Sequence, residues 1–408
     1  MTGHRQAEDR RGAKTTLRSD PSAARLVAKS QTLLAGPVSW IGVRGAGKLW
    51  FNRCGLTDGG GDIAPAAACP TSSDPGPQGL ISTGTIVIEA RLEPWPGQPA
   101  PVLRYGAREG WLRGMMITYH PDDHRVVVDM VQGDELRRAS VHVAPIIGEC
   151  DLRITYSWDA PCRSGVLSVE HLEAETLHQT RFRDPLPLPY SDAERMLRGQ
   201  AVAGERGKIL MLGIARGIAP VALAPGLASG SLIDTPMGPR AVETLTAGDL
   251  VLSTSGEVHR VRHLASRQVP AVGLMRPMTL RAPFMGLSRD LVLSPDQRLV
   301  LTGSDAEYLY GGDAVMIQAR HLHHFRAASQ HETGPLIRYH AVLLDSHECL
   351  SVQGLCAESL FVGPMVPDIL RTTVLSGLPP LSVPIHRLMP TPTLSQFEAR
   401  NLVSAIYA

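Results

Sequence analysis

Three histidines fall within four residues at His321, His323 and His324, with His331 and His340 further along the chain. Three imidazoles can hold a catalytic zinc ion and leave a fourth position open. No acidic residue sits close behind them, so the stretch is expected to be a half-exposed loop or helix start rather than a metal centre. Gly42-Val43-Arg44-Gly45-Ala46-Gly47-Lys48 satisfies the G-x-x-x-x-G-K pattern of a phosphate loop. Such a loop needs Ser or Thr next, to hold magnesium, and then a helix. Leu49-Trp50-Phe51 follows, which marks a chance match. The six cysteines (Cys54, Cys69, Cys150, Cys162, Cys349, Cys356) contain no C-x-x-C pair and are too few for a disulfide scaffold. Cys349 and Cys356 read as small apolar strand residues rather than as a redox pair.

The elements that would carry these groups are short strands. Gly and Pro number 39 and 32, enough punctuation for many turns. Residues 84–92, GTIVIEARL, are β-branched-rich and place Ile86, Ile88 and Ala90 on one face. Further strands are expected at 102–105, 114–119, 125–131, 136–143, 151–158, 165–171 and 208–214. A strand about every ten residues implies a sandwich or a barrel. Residues 55–80, rich in Gly, Pro, Ala and Ser, read as a linker, and the basic N-terminus as a flexible tail.

A length of 408 residues implies two to three domains. Apolar residues at 43% against 19% charged exclude wholesale disorder, and a net charge of +1 argues against nucleic acid as a main partner. The most apolar run, 209–228, is broken by Arg216, Pro220 and Pro225, so no membrane span is expected. The start lacks the apolar core of a signal peptide, which implies a cytoplasmic protein or one exported by a signal-independent route. No cofactor is called for.

Residues 80–215 resemble a laminin-G or concanavalin-A-like sandwich. The likeness lies in GTIVIEARL, in MMITYHPDDHRVVVDM with its Asp-rich turn, and in DLRITYSWDAPCRSGVLSVEHLE, where Trp158-Asp159 ends a strand. It implies a glycan or protein ligand. Asp122 and Asp123 could ligate calcium, but ordinary turn chemistry is the expected role. Trp111, Tyr119 and Trp158 could stack on a sugar, but core packing is expected.

Residues 224–362 resemble the Hint domain of hedgehog C-terminal regions and inteins, closest to its bacterial subgroup. The blocks are SLIDTPMGPRAVETLTAGDLVLSTSGEVHRVRHL, DLVLSPDQRLVL, YHAVLLDSHE and SVQGLCAESLF, in family order. The resemblance implies self-directed acyl transfer, in which an initial Cys attacks the preceding carbonyl and a His in the second block protonates the departing nitrogen. This chain departs at both places. Gly226 stands at the nucleophile position and Gln297 at the His position, and glutamine cannot act as a general acid near neutral pH.

Asp345, His347 and Glu348 fit the family's later Leu-Asp-x-His-Glu block. No terminal Asn supports C-terminal cleavage. Ser229 or Ser231 could replace the thiol, with His347 as base, although both are displaced from the aligned position. The expected protein is all-β: an N-terminal region (1–79), a jelly-roll-type β-sandwich (80–215), a Hint-like β horseshoe (224–362) and a tail (363–408) with a short helix capped by Thr393 or Ser395. The expected function is a binding or scaffold protein without autoprocessing. The alternatives are self-cleavage through Ser229 or Ser231 and, more weakly, a metal-dependent hydrolase.

Overall fold

The structure is a computed structural model that describes residues 38–57, 79–205, 207–224, 226–330, 334–387 and 391–407. Pro225 and His331 lie outside the described residues.

The chain folds as antiparallel sheets with few helices. A first group of strands comprises β1 (Ser39–Gly45), β2 (Lys48–Phe51), β3 (Leu80–Ile81), β4 (Thr83–Leu92), β5 (Ala100–Ala107), β6 (Arg113–His120) and β7 (Arg125–Gln132). It continues with β8 (Glu135–His142), β9 (Cys150–Asp159), β10 (Ser164–His171), β11 (Thr176–Arg183), β12 (Leu188–Pro189) and β13 (Gly207–Arg216). A seven-stranded sheet in the order β11-β10-β9-β4-β13-β1-β2 packs on a four-stranded sheet, β5-β6-β7-β8. Ile86, Ile88 and Ala90 enter the core between them, as the alternation of β4 predicts, beside Tyr119 and Trp158. Trp158 is fully buried and its indole donates to the Ile81 carbonyl at 2.8 Å.

Residues 39–51, expected in a region ahead of the sandwich, are strands of its larger sheet. β1 pairs with β13 and with β2, and the phosphate-loop pattern is the hairpin between β1 and β2. Ala46 and Gly47 both have positive φ, as a two-residue turn requires, and no helix follows.

A second group comprises β14 (Leu227–Ala228), β15 (Leu232–Ile233), β16 (Arg240–Ala241), β17 (Leu250–Leu252), β18 (Val258–Arg260), β19 (His263–Pro270) and β20 (Met278–Leu280). It ends with β21 (Leu291–Leu293), β22 (Arg298–Thr302), β23 (Ala314–Gln318), β24 (Ala328–Gln330), β25 (Leu336–Leu343), β26 (Cys349–Val352) and β27 (Leu355–Glu358). Two six-stranded sheets result, β19-β25-β14-β21-β20-β24 and β16-β15-β26-β27-β22-β23, around a separate core. The C-terminal helix Gln396–Tyr407 docks there through Ala399, Leu402 and Val403. Ser395 caps it: Glu398 N–H donates to Ser395 Oγ, and Glu398 Oε2 accepts from Ser395 N–H and O–H. The tail before it is less of a linker than its prolines suggest. Leu370, Leu375 and Val383 pack on Ala265, Ala341 and Leu343.

The two bodies share an apolar interface. Val43, Val87, Met211 and Ala215 on the outer face of the large sheet meet Val269, Val272, Met275, Ile337 and Tyr339. That contact explains why β4 is buried on both faces. Glu89, fully buried in β4, pairs with Arg153 at 2.8 Å and accepts the Leu274 amide at 2.6 Å. Gly273 lets it approach: a Cβ there would run into Glu89 Oε2, and its φ is +66°. Among the described residues no helix is long and apolar enough to cross a membrane.

Candidate functional site

Gly226 immediately precedes β14, a two-residue strand held between β25 and β21 in the middle of its sheet. Its amide donates to the His340 carbonyl at 3.2 Å, and its carbonyl accepts from Ser294 N–H at 2.7 Å. Its backbone is not in the left-handed region, so conformation does not demand glycine. Space does. A Cβ on Gly226 would collide with Gln297 Oε1 and stand 2.7 Å from its Cδ and 2.9 Å from its Cβ.

Gln297 is held in that place. Its amide nitrogen donates to the carbonyls of Arg298 (2.9 Å) and Glu358 (3.1 Å), and its backbone bonds to Ser294 and Ala319. The two positions where the sequence departs from the resemblance are therefore neighbours, and one side chain fills the room left by the missing other.

Glu358, at the end of β27, links the surrounding groups. Its carboxylate pairs with Arg298 at 3.2 Å and lies 2.9 Å from Nε2 of buried His347, a charge-pair distance without hydrogen-bond alignment. His347 packs on Phe361 and stacks on His386. Burial pushes the His386 imidazole below its ordinary value. Asp345 is exposed and pairs with Arg262. The sandwich reaches this region through Glu175, in the turn between β10 and β11, which binds Arg298 and Gln318. Between the bodies lies a cleft of about 590 Å³, lined by Gln297, Arg298, Glu358, Phe361, Arg153 and residues 222–224.

The two candidate serines play different parts. Ser231 is buried, and its hydroxyl and amide donate to the Ala228 carbonyl at 2.7 and 3.2 Å. Ser229 is exposed, and its Oγ lies 2.9 Å from Nε2 of His340, not beside His347. His340 Nδ1 meets Ser266 Oγ at 2.8 Å. Burial lowers the His340 pKa, which Glu243 opposes and Arg338 reinforces.

The histidine cluster is not brought together with His340, whose ring is engaged by Ser229 and Ser266 in another sheet. His323 Nδ1 bonds the Arg320 carbonyl at 2.7 Å, and burial pushes His321 down to about 4. Among the described residues no three His, Cys, Asp or Glu are placed to hold a metal. Asp122 accepts the Gly97 amide at 2.9 Å, tying its turn to the loop before β5, while Asp123 pairs locally with Arg125. Trp111 is partly exposed beneath the Arg113 guanidinium.

The model of the Hint domain matches residues 225–364. That segment is a Hint domain. Among solved structures, a bacterial intein-like domain from Clostridium thermocellum is similar at 15% identity and a TM-score of 0.23, covering 33% of this chain and 99% of that one. A fructofuranosidase from Schwanniomyces occidentalis complexed with fructose is similar at 7% identity and a TM-score of 0.19, covering 33% of this chain and 28% of that one. Both likenesses are too remote to add to the assignment. No curated protein matches.

Sequence reasoning missed the roles of His340, Ser266, Glu175 and Glu358 around the Hint domain's opening strand. Their meeting depends on strand register: Leu227 and Ser266 both pair with His340.

Proposed function

We propose that the Hint domain of this protein does not run its family's reaction and serves as a scaffold on which the sandwich domain is mounted for binding. The observation that carries this reading is the contact between Gly226 and Gln297. There is no nucleophile at the opening of β14, and an amide that is neither acid nor base fills the space beside it. The apolar interface and the links from Glu89 and Glu175 suit a permanent mount. The binding face would be the outer side of the four-stranded sheet. A groove of about 390 Å³ lies there among Arg104, Met116, His120, Arg125 and Arg138 and suits a glycan or protein ligand.

One observation favours a second reading, self-cleavage between Ala228 and Ser229. Neutral His340 is placed to take the Ser229 hydroxyl proton while Oγ attacks the Ala228 carbonyl carbon. The oxyanion would be held by the Ser231 hydroxyl and amide already bonded to that oxygen. The C–N bond then breaks, the proton passes to the Ser229 nitrogen, and water hydrolyses the ester.

Intact mass of the purified full chain, with and without thiol or hydroxylamine, separates the readings. A single uncleaved species supports the scaffold. A fragment beginning at Ser229, lost in His340→Gln, supports the second reading, and one beginning at Gly226 overturns the first.

A further inference from the structure

β26 and β27 form a tight hairpin through Gln353 and Gly354, both at positive φ, so Val352 and Leu355 close the turn. Further along, Ser351 faces Cys356 and Cys349 faces Glu358. Successive side chains of a strand alternate faces, so Cys349, Ser351, Cys356 and Glu358 all lie on one side of the hairpin. Cys349 and Cys356 are diagonal neighbours there. The right-handed twist of a two-stranded ribbon shortens one of the two diagonals on such a face. Both residues are half-buried, and neither is in a disulfide.

The sulfurs are in contact. Cys349 hydrogen-bonds to Cys356, and exposed Thr254 places its hydroxyl 3.5 Å from Cys356 Sγ. The two thiols differ in acidity. The bond from Cys349, with help from Thr254 and the Val300 backbone, holds Cys356 below the ordinary thiol value against the effect of burial. The same bond, burial and nearby Glu358 push Cys349 up. A thiolate is the nucleophile in exchange with disulfides, and an adjacent second thiol resolves the product.

We propose that Cys349 and Cys356 form a thiol–disulfide exchange site for low-molecular-weight disulfides, with Cys356 as the attacking sulfur and Cys349 as the resolving one. The Cys356 thiolate forms a bond to one sulfur of the incoming disulfide and expels the other as thiolate. Cys349 then loses its proton, bonds to Cys356 Sγ and expels the second small thiol. The protein pair is oxidised by two electrons, and the small disulfide is reduced to two thiols.

The test is to expose the purified full chain to oxidised glutathione and map its cysteines by peptide mass spectrometry, with exposed Cys162 as the internal control. The expected wild-type product is a Cys349–Cys356 linked peptide, lighter by two hydrogens than the reduced pair. Cys349→Ser should hold a stable glutathione adduct on Cys356. Cys356→Ser should label Cys349 at least about tenfold more slowly, since the attacking thiolate is gone. Wild-type protein in which both cysteines stay free while Cys162 is modified overturns the proposal. So does wild-type protein in which each carries its own adduct without a link. Both of these outcomes are read on the wild-type chain, so neither depends on the variants folding.

Discussion

Gln297 stands where a side chain on Gly226 would have to go, and it is tied there by the carbonyls of Arg298 and Glu358. The two residues are complementary: the glycine makes room and the glutamine uses it. Changing either residue alone therefore disturbs the packing of the other.

Gly226→Ala should destabilise the protein by about 1–3 kcal/mol, the range for forcing extra volume into a packed site. Gln297 must either leave the Arg298 and Glu358 carbonyls or push the opening strand away from its neighbours. Adding Gln297→Ala should recover part of that loss, with a coupling of about 0.5–3 kcal/mol between contacting residues. Denaturant unfolding of the four proteins in the cycle measures it. Additive losses would mean that the contact has no energetic weight.

Glu89→Ala should be far more costly. It leaves Arg153 almost fully buried with Glu170 at 3.7 Å, and removes the acceptor for the Leu274 amide. Breaking a buried pair on one side costs about 3–5 kcal/mol. Calorimetry of the variant should also show whether the sandwich and Hint domains still unfold together, since Glu89 joins them.

Much of this architecture was legible in the sequence, because strands that alternate or concentrate β-branched residues announce themselves. The core face of β4 follows from Ile86, Ile88 and Ala90. Its other face does not: Glu89 in mid-strand suggests solvent, yet it is buried because a second domain covers it. β1 and β2 were missed because Gly42, Gly45 and Gly47 look like a loop until β13 supplies a partner for the edge. At the site, the resemblance points to Gly226 and Gln297 but not to their contact. Some seventy residues separate them, and only the pairing of β14 with β21 brings Ser294 and its turn to the glycine. His340 follows the histidine cluster in the chain yet meets Ser229 and Ser266 instead, because nearness in the chain is not nearness across a sheet.

Acid should weaken the fold through buried histidines. Burial pushes His321 down to about 4, and His340 and His386 are also held below their ordinary values. Their folded pKa values lie below the unfolded value of about 6.5, so the unfolded chain binds more protons as the pH falls past that point. The contribution of these groups to stability should be fully present above pH about 6.5 and decline toward 4. Thermal melting across that window checks it, and His340→Gln should flatten the slope. A steeper slope in that variant would contradict the sign.

Ser395→Ala should cost about 0.5–2 kcal/mol, the usual value of a helix N-cap. Glu398 would lose its reciprocal partner at the start of the helix that buries Ala399, Leu402 and Val403. Urea unfolding of the variant against wild type measures the loss, and an unchanged midpoint would mean that the cap adds nothing to stability.

The central proposal is that Gly226 and Gln297 stand in the Hint domain where its family's reaction would need a nucleophile and an acid. Its most direct test is intact mass after incubation with thiol, for wild type, Gly226→Cys, Gln297→His and the double variant. The double variant should split between residues 225 and 226 in a thiol-dependent way, while wild type and both folded single variants stay whole. Wild type that splits at that bond, or a folded double variant that stays intact, would contradict the account.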